Sequence, residues 1–239
     1  YEELCLYIDG EFLQGEGRIL QPVHNPATGQ VIAQLPHASR SDLERAVAAA
    51  ERAFASWRHS SPMERSAILR KVGELSRERA QFIGRNITLD QGKPLAEAKG
   101  EVAYGAEFFR WFAEEAVRID GDHMVSPDGK TRILVSREPV GPCVLVTPWN
   151  FPLAMATRKI GPAIAAGALT PLTAFALVEI LREAGLPDGV LNVVCTTDPQ
   201  TVVGHWMASG LARKVSFTGS TAVGVTLLEQ AAQHVMRSS

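Results

Sequence analysis

Cysteine is scarce. Cys5, Cys143 and Cys195 are the only three in 239 residues. Odd in number and far apart, they support neither a disulfide framework nor a zinc-ligand set, and a reducing, cytoplasmic location fits them best. The six histidines are scattered without metal-ligand spacing, so no metal is expected. An excess of one charge is lacking as well. The 24 Lys+Arg against 26 Asp+Glu leave a net charge of −2, which excludes a nucleic-acid binder that works by neutralising phosphates. No apolar run approaches the roughly 18 residues of a membrane span. The most apolar stretch, Val140 to Leu181, is cut by Arg158-Lys159 and by prolines. Tyr1-Glu2-Glu3 leads into no apolar segment, so no signal peptide is expected. Internal repeats, low-complexity linkers and the three-glycine dinucleotide fingerprint are also missing.

What is present is ordered by charge. Residues 140–239 carry 11 of the 50 charged side chains, which predicts parallel strands buried on both faces by helices, with the amino-terminal part as covering. Leu6-Tyr7-Ile8, Asp9-Gly10 and Glu11-Phe12 read as a hairpin with a positive-φ turn. Asn25 to Gly29 is a turn before a strand at Val31 to Ala33. Ser41 with Glu44 predicts a capping box, and Ser61-Pro62 with Glu64 a second helix start. Helix is expected again over Arg77 to Asp90 and from Pro94 to Ile119. Gly121 to Gly129 reads as polar loop and Thr131 to Arg137 as a half-wet strand. Then strands at Cys143 to Thr147, Val190 to Val194 and Lys214 to Phe217 alternate with helices from Pro152, Thr170, Pro199 and Ser220, the pattern of βα units. One strand is short-changed: the helix ending near Gly167 runs almost directly into the one opening at Thr170-Pro171.

Ligands of an open parallel sheet gather at the carboxyl ends of its strands. The turn Phe217-Thr218-Gly219-Ser220 is one such place. Helix-start amides and a glycine suit an anion there, whereas a plain N-cap at Ser220 is the alternative. Pro148-Trp149-Asn150-Phe151-Pro152 is the other. Asn150 could donate to a developing oxyanion and Trp149 pack on a ligand, or Trp149 could pack in the core and Asn150 cap the next helix. Arg158 and Lys159 are costly in an apolar helix unless exposed or paired, and Arg158 would suit a substrate carboxylate. Cys143 reads as packing. Cys195 with His205 makes a poor nucleophile pair, and Trp111 with Phe108, Phe109 and Phe112 reads as helix packing.

Taken together, Pro148 to Pro152, Thr157-Arg158-Lys159, Gly161 to Gly167, Gly185 to Val194 and Phe217 to Ser220 with Val223-Gly224 resemble the aldehyde dehydrogenase superfamily. Asn25 to Gly29 and Gln91-Gly92-Lys93-Pro94 fit its amino-terminal part. Phe108 to Gly121 is similar to the succinate-semialdehyde dehydrogenase branch. The resemblance implies a Rossmann-like α/β fold, with residues 1–120 as an amino-terminal helical and hairpin part, 121–139 as an oligomerisation hairpin and 140–239 as the coenzyme-binding core. It implies NAD or NADP as cofactor, a small-molecule aldehyde such as a semialdehyde as substrate, and a homodimer or homotetramer, with no nucleic-acid or membrane partner. Asn150 would be the oxyanion donor and Arg158 the carboxylate-binding arginine. Thr147, Pro148, Trp149, Gly189, Thr218, Gly219, Ser220 and Val223 would contact or lie near the cofactor.

The sequence also departs from the family. About ten residues, a strand and the segment gripping the adenine ribose, are reduced to Ala168-Leu169, so NAD and NADP stay open alternatives. Ala222 stands where a Glu is frequent, and Cys195-Thr196-Thr197 replaces a glycine-rich turn. By the resemblance, the family's nucleophilic Cys and general-base Glu have no counterpart among these 239 residues. The residues given are therefore expected to be inactive alone and to be part of a longer enzyme. The alternative is a non-catalytic remnant that binds nucleotide or oligomerises. A short-chain dehydrogenase is excluded, since Tyr104 is followed by Gly105-Ala106-Glu107-Phe108 rather than by Lys at the required spacing.

Overall fold

Asp9 and Gly10 both take positive φ, 56° and 83°, and so turn β1 (Leu6–Ile8) back onto β2 (Glu11–Leu13) as the Asp-Gly pair predicts. The computed structural model describes residues 4–167, 170–171 and 175–239. A second antiparallel pair follows, β3 (Leu20–His24) with β4 (Val31–Pro36), joined by the Asn25 turn, in which the Asn25 side chain accepts from the Ala27 amide at 2.9 Å.

Four helices come next: α1 (Arg40–Trp57), α2 (Pro62–Glu78), α3 (Ala80–Gln91) and α4 (Leu95–Ala116). The capping box of α1 is built two residues earlier than expected, on Ser39 and Asp42 rather than Ser41 and Glu44. Asp42 is buried and ion-paired to Arg18 at 2.8 Å, which fixes it as the inward-facing member. The α2 cap is Ser61, as expected, with Pro62 in the first turn. The chain then forms a hairpin of β5 (Asp122–Val125) and β6 (Arg132–Val135), exposed along both strands. Residues 122–125 are thus a strand and not the polar loop that the pattern suggested. Main-chain pairing to the second strand overrides their weak alternation.

The last part alternates β7 (Cys143–Val146), α5 (Ala154–Ala165), β8 (Thr170–Pro171), α6 (Phe175–Glu183), β9 (Leu191–Asn192), α7 (Pro199–Ala208), β10 (Lys214–Phe217), α8 (Thr221–Gln233) and β11 (Arg237–Ser238). β10 pairs in parallel with β7 and β11, and β8 in parallel with β9, while β7 runs beside β8. Thr170 and Pro171 do not open a helix. They pair with Leu191 and Asn192 as a two-residue strand, and α6 begins at Phe175. The strand for which the sequence leaves little room is present as this stub; Ala168-Leu169 lie outside the described residues. The amino-terminal hairpin is knitted to β9, since Tyr7 and Val193 exchange main-chain bonds of 2.9 and 2.7 Å.

β7 is buried on both faces, which accounts for its lack of charge. Cys143 and Leu145 join Leu69, Phe109, Ile160 and Leu181 on one side, and Val144 joins Leu6, Val47, Trp206 and Val215 on the other. Each large apolar side chain so buried contributes about 1.5–3 kcal/mol. Phe109 is fully buried and Trp111 is exposed, so only part of the aromatic run on α4 is packing. A Cβ added at Gly105 of α4 would stand 3.2 Å from the Thr157 hydroxyl. That close approach of α4 to α5 sets the loop before α5 against α4.

Candidate functional site

Because β7 and β10 are parallel and adjacent, their exits leave the same edge. Phe217 is in register with Val146, and the Thr218 amide donates to the Val146 carbonyl at 3.1 Å. The β7 exit, Thr147 to Asn150, and the β10 exit, Thr218 to Ser220, are thereby brought together. Ser220 is the N-cap of α8, yet its hydroxyl makes no capping bond, and the first turn carries no acidic residue. The amides at the start of α8 thus have no side-chain acceptor from its own N-cap or first turn, a geometry that suits an anion, and Ser220 and Val223 are exposed beside them. Gly219 fits beneath the Phe217 ring, where a Cβ would come within 2.5 Å of it.

Trp149 is 81% exposed, and α5 is capped at Leu153 without help from Asn150. Neither packing of Trp149 nor capping by Asn150 accounts for them. The Asn150 carboxamide makes no hydrogen bond among the described residues, while its main chain is held firmly. The Lys93 ammonium donates to the Asn150 carbonyl at 3.2 Å, the Gln91 amide to the Trp149 carbonyl at 2.7 Å, and Lys93 lies 4.3 Å over the Phe151 ring. Lys93 is ion-paired with Glu101, whose side chain is 1% exposed. The other oxygen of Glu101 accepts the Leu153 and Ala154 amides at 2.9 and 3.2 Å. Sequence reading missed Glu101. Its signal is a carboxylate among Ala98, Val102 and Ala106 on the apolar face of α4, a position too costly without partners.

Arg158 is exposed on α5 and makes no ion pair among the described residues. Its guanidinium lies 5.7 Å from the Phe108 ring centre and 4.0 Å from the Met155 sulfur. Lys159, by contrast, is buried and donates to the Ser216 hydroxyl at 2.9 Å. Burial, with the Arg158 and Lys214 charges, pushes its ammonium down to about 8. Burial raises the Cys143 thiol to about 11 and, with Cys5 nearby, the Cys195 thiol to about 12, so neither is a ready nucleophile. Gly189 is not placed with the others. It precedes β9, buried, with φ of 78°, and a Cβ there would stand 3.0 Å from the Ala49 carbonyl of α1. Packing and backbone geometry explain this glycine. Among the described residues no cluster of His, Cys, Asp and Glu is arranged to hold a metal ion, and no helix is long and apolar enough to cross a membrane.

Parallel strands alternating with helices, with two neighbouring strand exits at one edge, define an α/β protein. The aldehyde dehydrogenase family matches residues 12–239, and the chain belongs to it. It is 49% identical over 217 residues to a succinate-semialdehyde dehydrogenase of Paenarthrobacter nicotinovorans, covering 87% of this chain and 48% of the relative. It is 46% identical over 241 residues to a glutarate-semialdehyde dehydrogenase of Pseudomonas putida, covering 98% and 50%. The crystal structure of a succinate-semialdehyde dehydrogenase from Burkholderia pseudomallei matches with a TM-score of 0.94 at 41% identity, over 99% of this chain and 51% of that one. The chain spans about half the length of the curated relatives it matches.

Proposed function

We propose that these residues are the coenzyme-binding part of an enzyme that oxidises an aldehyde to its carboxylic acid with NAD or NADP, and that the aldehyde carries a carboxylate, as succinate semialdehyde does. The observation that carries the reading is the junction of β7 and β10, where the Thr218 amide meets the Val146 carbonyl at 3.1 Å. It supports the reading by bringing to one sheet edge the strand exit that leads to Asn150 and the one that leads to α8. The α8 start fits a pyrophosphate, because its donors are unclaimed by any side chain of its own. Thr218, Gly219, Ser220 and Val223 would hold that group, and Thr147, Pro148 and Trp149 would wall the nicotinamide. The cofactor supplies the hydride acceptor. Asn150 donates a hydrogen bond to the aldehyde oxygen as negative charge develops on it. Arg158, without an ionic partner among the described residues, receives the distal carboxylate.

The nucleophilic thiol and the general-base carboxylate are expected outside these residues, which are predicted not to turn over aldehyde by themselves. The exposed β5–β6 hairpin, with Met124, Ile133 and Leu134 bare to solvent, is read as the contact for a second copy in a homodimer or homotetramer. The free thiols suit a cytoplasmic setting. The test is NAD(P)H absorbance when the protein carrying this chain meets succinate semialdehyde. Turnover is expected, and Arg158→Ala should raise KM for the semialdehyde about 10-fold or more and leave an uncharged aldehyde unaffected. Absence of turnover by a preparation that contains the family's nucleophile would overturn the reading in favour of a non-catalytic nucleotide-binding or oligomerising protein. Equal KM changes for both aldehydes would remove Arg158 from the substrate site.

A further inference from the structure

The geometry points to Lys93 and Glu101 as a positioning pair that sets where Asn150 and Trp149 stand. This rests on the reading of Asn150 as oxyanion donor. The loop between β7 and α5 is open to solvent on its outer side, with Trp149 and Asn150 exposed. Its backbone is nevertheless tied, at Asn150 and again where it enters α5, to one charge pair whose carboxylate is buried. Glu101 reaches from α4 with one oxygen on the Leu153 and Ala154 amides, at 2.9 and 3.2 Å, and so caps α5 from a neighbouring helix. Its other oxygen holds the Lys93 ammonium, which donates in turn to the Asn150 carbonyl at 3.2 Å and lies over the Phe151 ring at 4.3 Å.

A buried ion pair is a weak device for stability, since desolvation offsets its attraction. It is a good device for fixing geometry when every lone pair and proton has a partner, and here the partners are main-chain groups of the loop itself. Donation by Lys93 to the carbonyl of Asn150 fixes the peptide from which the carboxamide projects. The required hold is tight, because an error of about 1 Å at such a donor costs up to about 100-fold in rate. Among the described residues, the hydrogen-bond partners of Lys93 and Glu101 are each other and the main chain of this loop and of the start of α5. They act through the main chain of Asn150, the residue read as meeting the substrate.

The test compares Lys93→Met, Lys93→Arg, Glu101→Gln, Asn150→Ala and the double variant Lys93→Met/Asn150→Ala in the protein carrying this chain. Glu101→Gln keeps an oxygen for the two amides but loses the charge that holds Lys93. Lys93→Met and Glu101→Gln are each expected to lower kcat about 10-fold and to leave KM for the nucleotide within about two-fold. Lys93→Arg keeps the donor and recovers most of the loss. Asn150→Ala lowers kcat about 100-fold, and adding Lys93→Met to it changes kcat by less than about two-fold, because no carboxamide is left to place. Hydrogen exchange of the peptide 149–154 gives a readout independent of turnover, and it should quicken in Lys93→Met and Glu101→Gln. Multiplicative losses in the double variant, or wild-type kcat and exchange in Lys93→Met, overturn the positioning role. Wild-type kcat in Asn150→Ala removes the oxyanion reading itself, whatever Lys93 does.

Discussion

Alanine at Gly219 isolates the part played by the β10 turn. A Cβ there would stand 2.5 Å from Phe217 Cζ and 3.0 Å from Cε2, whereas carbon–carbon contact is comfortable from about 3.5 Å. Ring or turn must therefore yield by about 1 Å. Gly219 is not among the positive-φ glycines, so the effect is steric and not backbone strain. The ring is packed against the core and its residue is paired with Val146. The exposed turn is what gives way. If that turn holds the pyrophosphate, Gly219→Ala should weaken nucleotide binding at least about 10-fold, or about 1.4 kcal/mol. Gly224 supplies the control, because a Cβ there would lie 3.3 Å from Cε1 of the same ring; a shift of a few tenths of an ångström suffices, and binding should change less than about two-fold. Trimming the ring in Gly219→Ala/Phe217→Leu should restore most of the affinity. The assay is calorimetric titration with NADP and with NAD. Wild-type affinity in Gly219→Ala, or an equal loss in Gly224→Ala, would refute the steric argument and the placing of the anion at this turn.

Asp42 joins the α1 capping box to Arg18, and Asp42→Ala should cost about 2 kcal/mol by urea denaturation at neutral pH. Burial pushes this carboxyl upward, but hydrogen bonds from Arg18 and Ser39 and the Arg18 charge outweigh it and bring it below its ordinary value. Its contribution is therefore present above the ordinary carboxylate pKa and lost as pH falls through the lowered one; the two urea midpoints should draw together as pH falls below the ordinary carboxylate range. Lys159 has the opposite consequence. Its ammonium is pushed down to about 8, so between that pH and the ordinary lysine value the folded state binds fewer protons than the unfolded chain. Stability due to this residue rises with pH over that window, and the advantage of wild type over Lys159→Met should grow by about 1–2 kcal/mol from about pH 7 to about pH 9.5. A constant difference would contradict the burial argument.

What the sequence discloses follows from how local each cause is. The Asp9-Gly10 turn, the Ser61-Pro62 cap and the uncharged strand β7 are each dictated within a few residues. The parallel sheet follows from the same short-range evidence. The α1 cap is not legible locally, because the choice between Ser39 and Ser41 is made by Arg18, 24 residues from Asp42. β8 was hidden because two residues carry no periodicity, and only pairing with Leu191 and Asn192 makes them a strand. At the site, Asn150 and the turn at Gly219 are legible as strand exits. Their junction is not, since β7 and β10 become neighbours only through crossovers. Lys93 and Glu101 could not be connected to Asn150 because their bonds run to main-chain groups more than fifty residues away, contacts that leave no side-chain pattern. Gly189, grouped with the cofactor residues by resemblance, also packs closely against α1, where a Cβ would stand 3.0 Å from the Ala49 carbonyl.

What occupies the edge where β7 and β10 end is the decisive question. A crystal structure of the protein carrying this chain, grown with NADP or NAD, tests it directly. The pyrophosphate should lie within hydrogen-bond distance of the Gly219 and Ser220 main chain and the start of α8, with Trp149 along the nicotinamide and the Asn150 carboxamide facing the position of the aldehyde oxygen. A nucleotide bound away from this edge, with Asn150 turned from it, would contradict the account.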